Sequence, residues 1–264
     1  PALIGMFILT GGVLWSNFRK HKVNVAESKR ERDLKIISSS SVQSLILESA
    51  QDVSKVISKC NDIYLGSING LARLNAEDLR TSKKEVSRLG KEIDKLRNEL
   101  FYFIQEIEEE NVMASHFYIS LISILEDMAR SLEYITKASY KHVNNNHRQL
   151  KYSQIKELKE TQSDLEGLLS DVRFSFDINA FEAFATFADK KEELFANIDA
   201  KINQQVQRTR SKEEKSPKNT TLFFSLMVET KDLIVATINL IEHYHLHYDP
   251  TVAPKKLGDE QKDK

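Results

Sequence analysis

The stretch Asn111–His147 reads NVMASHFYISLISILEDMARSLEYITKASYKHVNNNH, and it decides the fold class. Its apolar residues recur at three- and four-residue steps, which places them along one face of a long helix. These residues are Leu121, Ile124, Leu125, Met128, Leu132 and Ile135. Three acids, Glu126, Asp127 and Glu133, border that face together with Arg130. Such a helix either belongs to a bundle with solvated flanks or forms the wall of a ligand site.

The composition favours long helices. The chain has 264 residues with 8 Gly and 4 Pro, which is enough for a sizeable core. Because every proline lies at position 1 or beyond residue 216, none interrupts a helix in between. The formal net charge of -1 gives no electrostatic case for a nucleic-acid partner. The single cysteine, Cys60, excludes an intrachain disulfide and a multi-cysteine metal cluster, and it fits a reducing compartment.

The N-terminus predicts a membrane segment. Residues 1–15, PALIGMFILTGGVLW, carry no charge, and Arg19, Lys20 and Lys22 follow at once. A secretory signal has its basic residues before the apolar run, whereas here they come after it. Because the run is shorter than the roughly 20 residues that span a bilayer, we expect further chain upstream. We interpret residues 1–22 as the cytoplasmic end of a transmembrane helix with a basic flank. The alternative is a short buried or interfacial helix.

Three helices are predicted in the first half of the chain. The first runs from Ile36 to Asn75, and Gly66 and Gly70 are expected to weaken its last turns. The second follows a capping box formed by Ser82 and Glu85. Its apolar positions alternate three and four residues apart as a heptad seam, which is typical of coiled coils and antiparallel bundles. They are Val86, Leu89, Ile93, Leu96, Leu100, Phe103 and Ile107.

The second half repeats this pattern. The acidic run Glu106–Glu110 ends the second helix, and the stretch Asn111–His147 forms the third. The three helices that follow carry residues 155–176, residues 181–206 after a cap at Asn179 and Glu182, and residues 222–244 after a charged loop at 208–219.

The sequence therefore predicts an all-α six-helix bundle made of two three-helix repeats, preceded by the end of a transmembrane helix. Residues 23–150 contain a linker and the first repeat, and residues 151–250 contain the second. The polar tail, residues 251–264, is expected to be disordered.

Motifs for catalysis are missing from the sequence. The chain has no glycine-rich phosphate loop, no GxSxG and no cysteine beside a conspicuous base. We therefore expect neither an enzyme nor an organic cofactor.

Two sets of residues are candidates for a divalent or iron site. His243 and His247 are four residues apart on the sixth helix, which points two imidazoles the same way. His142 and His147 lie at one end of the third helix, so four histidines converge if those helix ends pack together. The alternative is a helix end whose histidines face solvent or cap carbonyl groups.

The acids of the third helix are the other set. Glu126, Asp127 and Glu133, with Glu229 and Asp232 of the sixth helix, supply the oxygen ligands that hard cations require. Against this, Arg130 and Lys231 stand within one turn and are able to neutralise these acids as ion pairs.

With ILEDMARSLEYI in the third of six helices, followed by SYKHVNNNH, the chain resembles the PhoU domain, a six-helix phosphate-signalling fold. It is most similar to the cytoplasmic C-terminal region of a Bacteroidetes-type PiT-family inorganic phosphate transporter that carries a PhoU-like extension. The family's metal motif is an acid followed four positions later by Asp. Glu126 matches the acid, but Arg130 stands in place of the Asp. In the second repeat Lys231 and Val235 fall at the matching places, although Asp232 takes over after a one-residue shift.

The resemblance thus implies a cytoplasmic regulatory domain of a phosphate permease, at the bacterial inner (plasma) membrane. The expected partners are the membrane, the permease region of the same protein and a second copy in a homodimer. The alternative is the cytoplasmic signalling bundle of a membrane receptor, which requires heptads that run unbroken through a long hairpin.

Overall fold

The computed structural model describes residues 42–106 and 112–249, which form six α-helices and one 3-10 helix. The α-helices are α1 (Val42–Arg73), α2 (Ala76–Glu106), α3 (Val112–Asn144), α4 (Tyr152–Asp177), α5 (Phe184–Arg210) and α6 (Pro217–His247). The 3-10 helix, η1, spans Phe181–Ala183 and precedes α5.

The turn between α1 and α2 corrects the predicted start of the second helix and its predicted cap. The helix α2 begins at Ala76, and its cap is Asn75, whose Oδ1 accepts from the backbone N–H groups of Glu77 and Asp78 at 3.0 and 3.3 Å. The predicted capping box at Ser82 is wrong, because Ser82 is buried inside α2 and its hydroxyl donates to the Asp78 carbonyl.

The helix α1 continues through its two glycines to Arg73. The absence of side chains at these positions lets α2 pack close to α1. A Cβ on Gly66 lies 2.6 Å from Ser82 Oγ, and a Cβ on Gly70 lies 2.8 Å from Leu79 Cγ.

The ends of α5 and α6 also differ from the prediction. Asn179 has φ 56° and precedes η1, and the residue before α5 makes no side-chain cap, so the predicted cap at Asn179 and Glu182 is wrong. The charged loop is shorter than predicted, because α6 already begins at Pro217. Proline is favourable at this first helical position, and Ser216 Oγ caps the helix by accepting from Asn219 N at 3.3 Å.

Four helices form the centre of the molecule. The helices α1, α3, α6 and α4 form a ring in which each packs on the next, with α1 beside α4 and α3 beside α6 across the boundary between the repeats. The helix α2 packs outside α1 and α3, and α5 packs outside α4 and α6 in the equivalent place. This arrangement confirms the all-α fold of two three-helix repeats.

Buried hydroxyl groups bridge the inner helices. Tyr64 of α1 is fully buried, and its hydroxyl lies 2.9 Å from Thr230 Oγ1 of α6. Ser67 of α1 makes the equivalent 2.9 Å contact with Thr136 Oγ1 of α3. Burial of a polar group is unfavourable without such a partner, so these pairs fix how the helices lie against one another.

Several predictions fall outside the described residues: the membrane segment at 1–22, the linker and the first turns of the helix predicted from Ile36, and the tail at 251–264. Within residues 42–106 and 112–249, no helix combines the length and the apolarity needed to cross a bilayer.

The contact between α1 and α2 is tested by matched glycine substitutions. Gly70→Ala should lower the free energy of unfolding by about 1–2 kcal/mol, because the overlap with Leu79 outweighs the gain in helix propensity. Gly90→Ala should raise it by up to about 1 kcal/mol, since a Cβ there has no neighbour within 4 Å. Urea denaturation measures both. Equal effects of the two substitutions would contradict the close approach.

Candidate functional site

The predicted acid Glu126 lies in a groove of about 380 Å³ between α2 and α3. Its carboxylate accepts hydrogen bonds from Nε of Arg97 at 2.6 Å and from Nη2 of the same residue. Arg97 also lies 3.4 Å from Asp94, one turn earlier on α2. In this groove the Glu126 carboxylate is therefore already paired with the Arg97 guanidinium group, which also lies near Asp94.

The neighbouring acids of α3 are paired within their own helix. Asp127 lies 3.1 Å from Arg130, and Glu133 lies 2.6 Å from Lys137. Arg130 therefore acts as the sequence suggested, by neutralising an acid one turn away. The residue that pairs with Glu126, Arg97, was not predicted.

On α6, Glu229 is the acid with the most unusual environment. Partial burial raises its pKa, the nearby Asp232 carboxylate raises it further, and a hydrogen bond from Ser131 of α3 lowers it. Lys231 does not neutralise this pair. It points to α5 instead, where its Nζ lies 2.9 Å from Asp199 and 4.4 Å from the centre of the Phe195 ring.

His243 is buried against the start of α3. Its ring stacks on Phe117 with centroids 4.6 Å apart, and its Nε2 lies 2.9 Å from the Phe117 carbonyl oxygen, to which it donates. Burial lowers the pKa of His243, the bond to Phe117 raises it, and His247 lowers it. His247 Nδ1 lies 2.8 Å from the His243 carbonyl oxygen and donates to it. Each imidazole thus uses one nitrogen to bind a backbone carbonyl.

The other histidine pair lies at the far end of the bundle. His142 is buried, and its Nε2 lies 3.0 Å from the Arg148 carbonyl oxygen. Phe117 and His142 are 25 residues apart on α3 (142 minus 117), a separation of about 37 Å at the helical rise per residue. The structure therefore does not bring the four histidines together.

Among the residues that the structure describes, no group of three or more His, Cys, Asp or Glu side chains is placed to hold a metal ion. Metal binding by Glu126, Asp127, His243 or His247 stays a prediction.

The most deeply buried ion pair among residues 42–106 and 112–249 was not found from the sequence. Glu157 of α4 is buried, and both of its carboxylate oxygens accept from Arg208 of α5, at 2.6 and 3.0 Å. This bidentate hydrogen bonding to Glu157 raises the pKa of the Arg208 guanidinium. The two residues are 51 positions apart, and Arg208 was assigned to a solvent loop. The pairing of Glu157 with Arg208 becomes apparent only when α4 and α5 are packed together in the structure.

The six helices, arranged as two three-helix repeats around four inner helices, define a PhoU-like fold. A scan of protein-family models finds no match to the chain, and no curated protein sequence matches it. Solved structures do match, and two of them are PhoU proteins.

The structure of PhoU from Pseudomonas aeruginosa has a TM-score of 0.65 at 7% sequence identity, over 77% of this chain and 97% of that chain. The phosphate transport system regulatory protein PhoU from Streptococcus pneumoniae has a TM-score of 0.60 at 15% identity, over 80% of this chain and 96% of that chain. At these identities the likeness shows the fold, and it confirms the fold that the resemblance implied.

The two ion pairs predict different costs of substitution. Arg208→Ala should lower the free energy of unfolding by about 3 kcal/mol, because it leaves the Glu157 carboxylate buried without a counter-charge. Arg97→Ala should cost less than about 1 kcal/mol, because Arg97 is half exposed. Adding Glu157→Gln to Arg208→Ala should recover part of the loss. Chemical denaturation of the unsubstituted protein, the two single variants and the double variant measures these free energies of unfolding. Equal losses for Arg208→Ala and Arg97→Ala would contradict the difference in burial.

Proposed function

We propose that this chain is the cytoplasmic regulatory domain of a membrane inorganic phosphate transporter. The observation that carries the proposal is the shared fold with two PhoU structures over 96–97% of their chains. One of these is described as a phosphate transport system regulatory protein. The uncharged residues 1–15 and the basic residues that follow them support attachment to a membrane.

In its finer form, the proposal assigns the chain to a PiT-family permease of the Bacteroidetes type, at the bacterial inner membrane. The bundle would act on the permease region of the same protein, either directly or through a homodimer. A regulatory role needs no catalytic residues of its own, in keeping with the absence of catalytic motifs from the sequence.

In this proposal, α1 connects the bundle to the predicted membrane segment. It is the first described helix after the predicted basic linker, and it contacts every helix of its own repeat and α4 of the other. Tyr64 ties it to α6, and Asn69 accepts a hydrogen bond from Lys159 of α4. A change in how the repeats pack against each other must therefore move α1, and α1 passes that movement to the linker.

A signalling coiled coil fits the structure less well. That class requires two long helices that form an unbroken hairpin. In the described part of this chain, α1 ends at Arg73 and α2 begins at Ala76, α3 packs on both helices, and α4 packs on α1. The helices form a closed bundle, as a compact regulatory domain requires.

Removal of the bundle tests the proposal. In cells whose phosphate uptake depends on the protein that contains this chain, deletion of residues 42–249 should leave uptake active, because the permease region remains. The response of the uptake rate to external phosphate should disappear. The measurement is uptake of radiolabelled phosphate by starved and by phosphate-replete cells. An unchanged response in the deletion variant, or uptake of another solute by the unsubstituted protein, would contradict the proposal.

A further inference from the structure

Three of the connections between helices lie at the same end of the bundle, which we call the loop end. It consists of the α1–α2 turn at 74–75, the α3–α4 loop at 145–151 and the α5–α6 loop at 211–216. Hydrogen bonds join these turns into one surface. Gln149 donates to the Ala72 carbonyl, Asn219 donates to the Gln149 carbonyl at 2.9 Å, and Lys151 donates to the Glu213 carbonyl.

The loop end carries an excess of positive charge. Within the described residues, seven exposed cations at this end form no ion pair. They are Arg73, Lys141, Arg148, Arg210, Lys212, Lys215 and Lys218. Of the acids at this end, Glu77, Glu157 and Glu214 pair with Arg80, Arg208 and Lys151. Asp78 and Glu213 form no ion pair within the described residues. The seven cations outnumber these two acids and are therefore available to a negatively charged partner.

These cations act on their neighbours. Burial lowers the pKa of Lys159, and Arg73 lowers it further. Burial lowers the pKa of His142, and the bond to the Arg148 carbonyl raises it. The nearby His147 and Lys218 lower it further. The like charges at the loop end are thus close enough to repel one another, and this repulsion is relieved when an anion binds.

Two apolar side chains project among the cations. Tyr152, the first residue of α4, is 82% exposed, and Leu74 is 38% exposed. Leu74 occupies the left-handed region with φ 54°, where a leucine is unfavourable, and this conformation places it at the tip of its turn. The tips of the other two loops, Asn146 and Lys212, are also left-handed, with φ 53° and 61°.

We propose that the loop end docks on an anionic lipid bilayer. Basic residues with an exposed tyrosine and leucine among them are the combination that binds the membrane interface, where the cations meet lipid phosphates and the apolar groups enter the headgroup layer. The cations are spread over three turns, so they suit a flat surface rather than a single small ion. This inference does not depend on the identity of the transported solute.

The opposite end of the bundle does not suit an anionic surface. There Glu48, Glu182 and Glu242 form no ion pair among the described residues, and they would be repelled by lipid phosphates. The 19 residues from 23 to 41 span up to about 60 Å when extended, whereas α1 is about 48 Å long. The linker is therefore long enough for the loop end to reach the same bilayer as residues 1–15.

A fluorescent label at the loop end tests the docking. The full chain is reconstituted in vesicles of phosphatidylcholine alone, or of phosphatidylcholine with phosphatidylglycerol. An environment-sensitive dye is attached to Tyr152→Cys or, as the matched control at the other end, to Leu246→Cys, which replaces a residue 70% exposed. The natural Cys60 does not react, because it is buried and its pKa is raised to about 12.

The dye at position 152 should shift to the blue only in vesicles with phosphatidylglycerol, and the shift should vanish in about 1 M NaCl, where the Debye length is about 3 Å. Each of Lys215→Gln and Lys218→Gln should lower the bound-to-free ratio about fivefold. Lys91→Gln and Lys95→Gln, on the outer helix α2, should leave it unchanged. Circular dichroism checks that all variants are folded.

Three results would overturn the proposal. The first is the same spectrum at position 152 in both kinds of vesicle, and the second is an equal response at position 246. The third is a shift caused by inorganic phosphate without vesicles, which would assign the cations to a free anion.

Discussion

The hydroxyl of Tyr64, buried where α1 meets α6, is the contact on which the arrangement of the two repeats depends. Thr230 donates its only hydroxyl proton to the Leu226 carbonyl at 2.7 Å, so Tyr64 must be the donor to Thr230 Oγ1. By the same argument Ser67 donates to the Ile63 carbonyl and Thr136 donates to Ser67. Both bonds have a defined direction. Because a buried hydroxyl without a partner is costly, the inner helices cannot slide without breaking these bonds.

The two repeats share this centre but hold their outer helices differently. The helix α2 packs on α1 through buried apolar residues, among them Leu79, Val86 and Leu89. The helix α5 depends more on charge. Arg208 reaches the buried Glu157, and Lys201, with a side chain only 12% exposed, donates to Thr161 at 3.0 Å and lies near two further acids of α4. The outer helix of the second repeat is thus held by buried charged contacts, whereas that of the first is held by apolar ones.

The helices were predictable because their periodicity is local. The steps from Leu121 to Ile135 describe a helix that turns one face to a core, and each residue of that run except Ile124, which is half-buried, is buried. The helix ends were less predictable. Ser82 has the sequence context of a cap, but its position opposite Gly66 in the folded bundle makes it a core residue. The contact between Gly66 and Ser82 joins two helices, so local sequence patterns do not reveal it.

The candidate sites show the same limit. Glu126 and Arg97 are 29 residues apart, on helices whose relative register the sequence does not reveal. The histidine pairs looked equivalent because both lie near helix ends, but the antiparallel packing of α3 on α6 sends them to opposite ends of the molecule. The basic loop end was hidden by the near-neutral net charge of the whole chain.

We propose that the packing of the two repeats controls phosphate transport, and Tyr64→Phe tests this proposal most directly. This substitution removes the bond to Thr230, which contributes about 1 kcal/mol, and keeps the aromatic ring. In cells, the level of the protein and the uptake rate under starvation should be unchanged, while the phosphate concentration that reduces uptake should shift. Tyr134→Phe, at a residue 46% exposed, is the control and should behave like the unsubstituted protein. A Tyr64→Phe protein with an unaltered response to phosphate would contradict the claim.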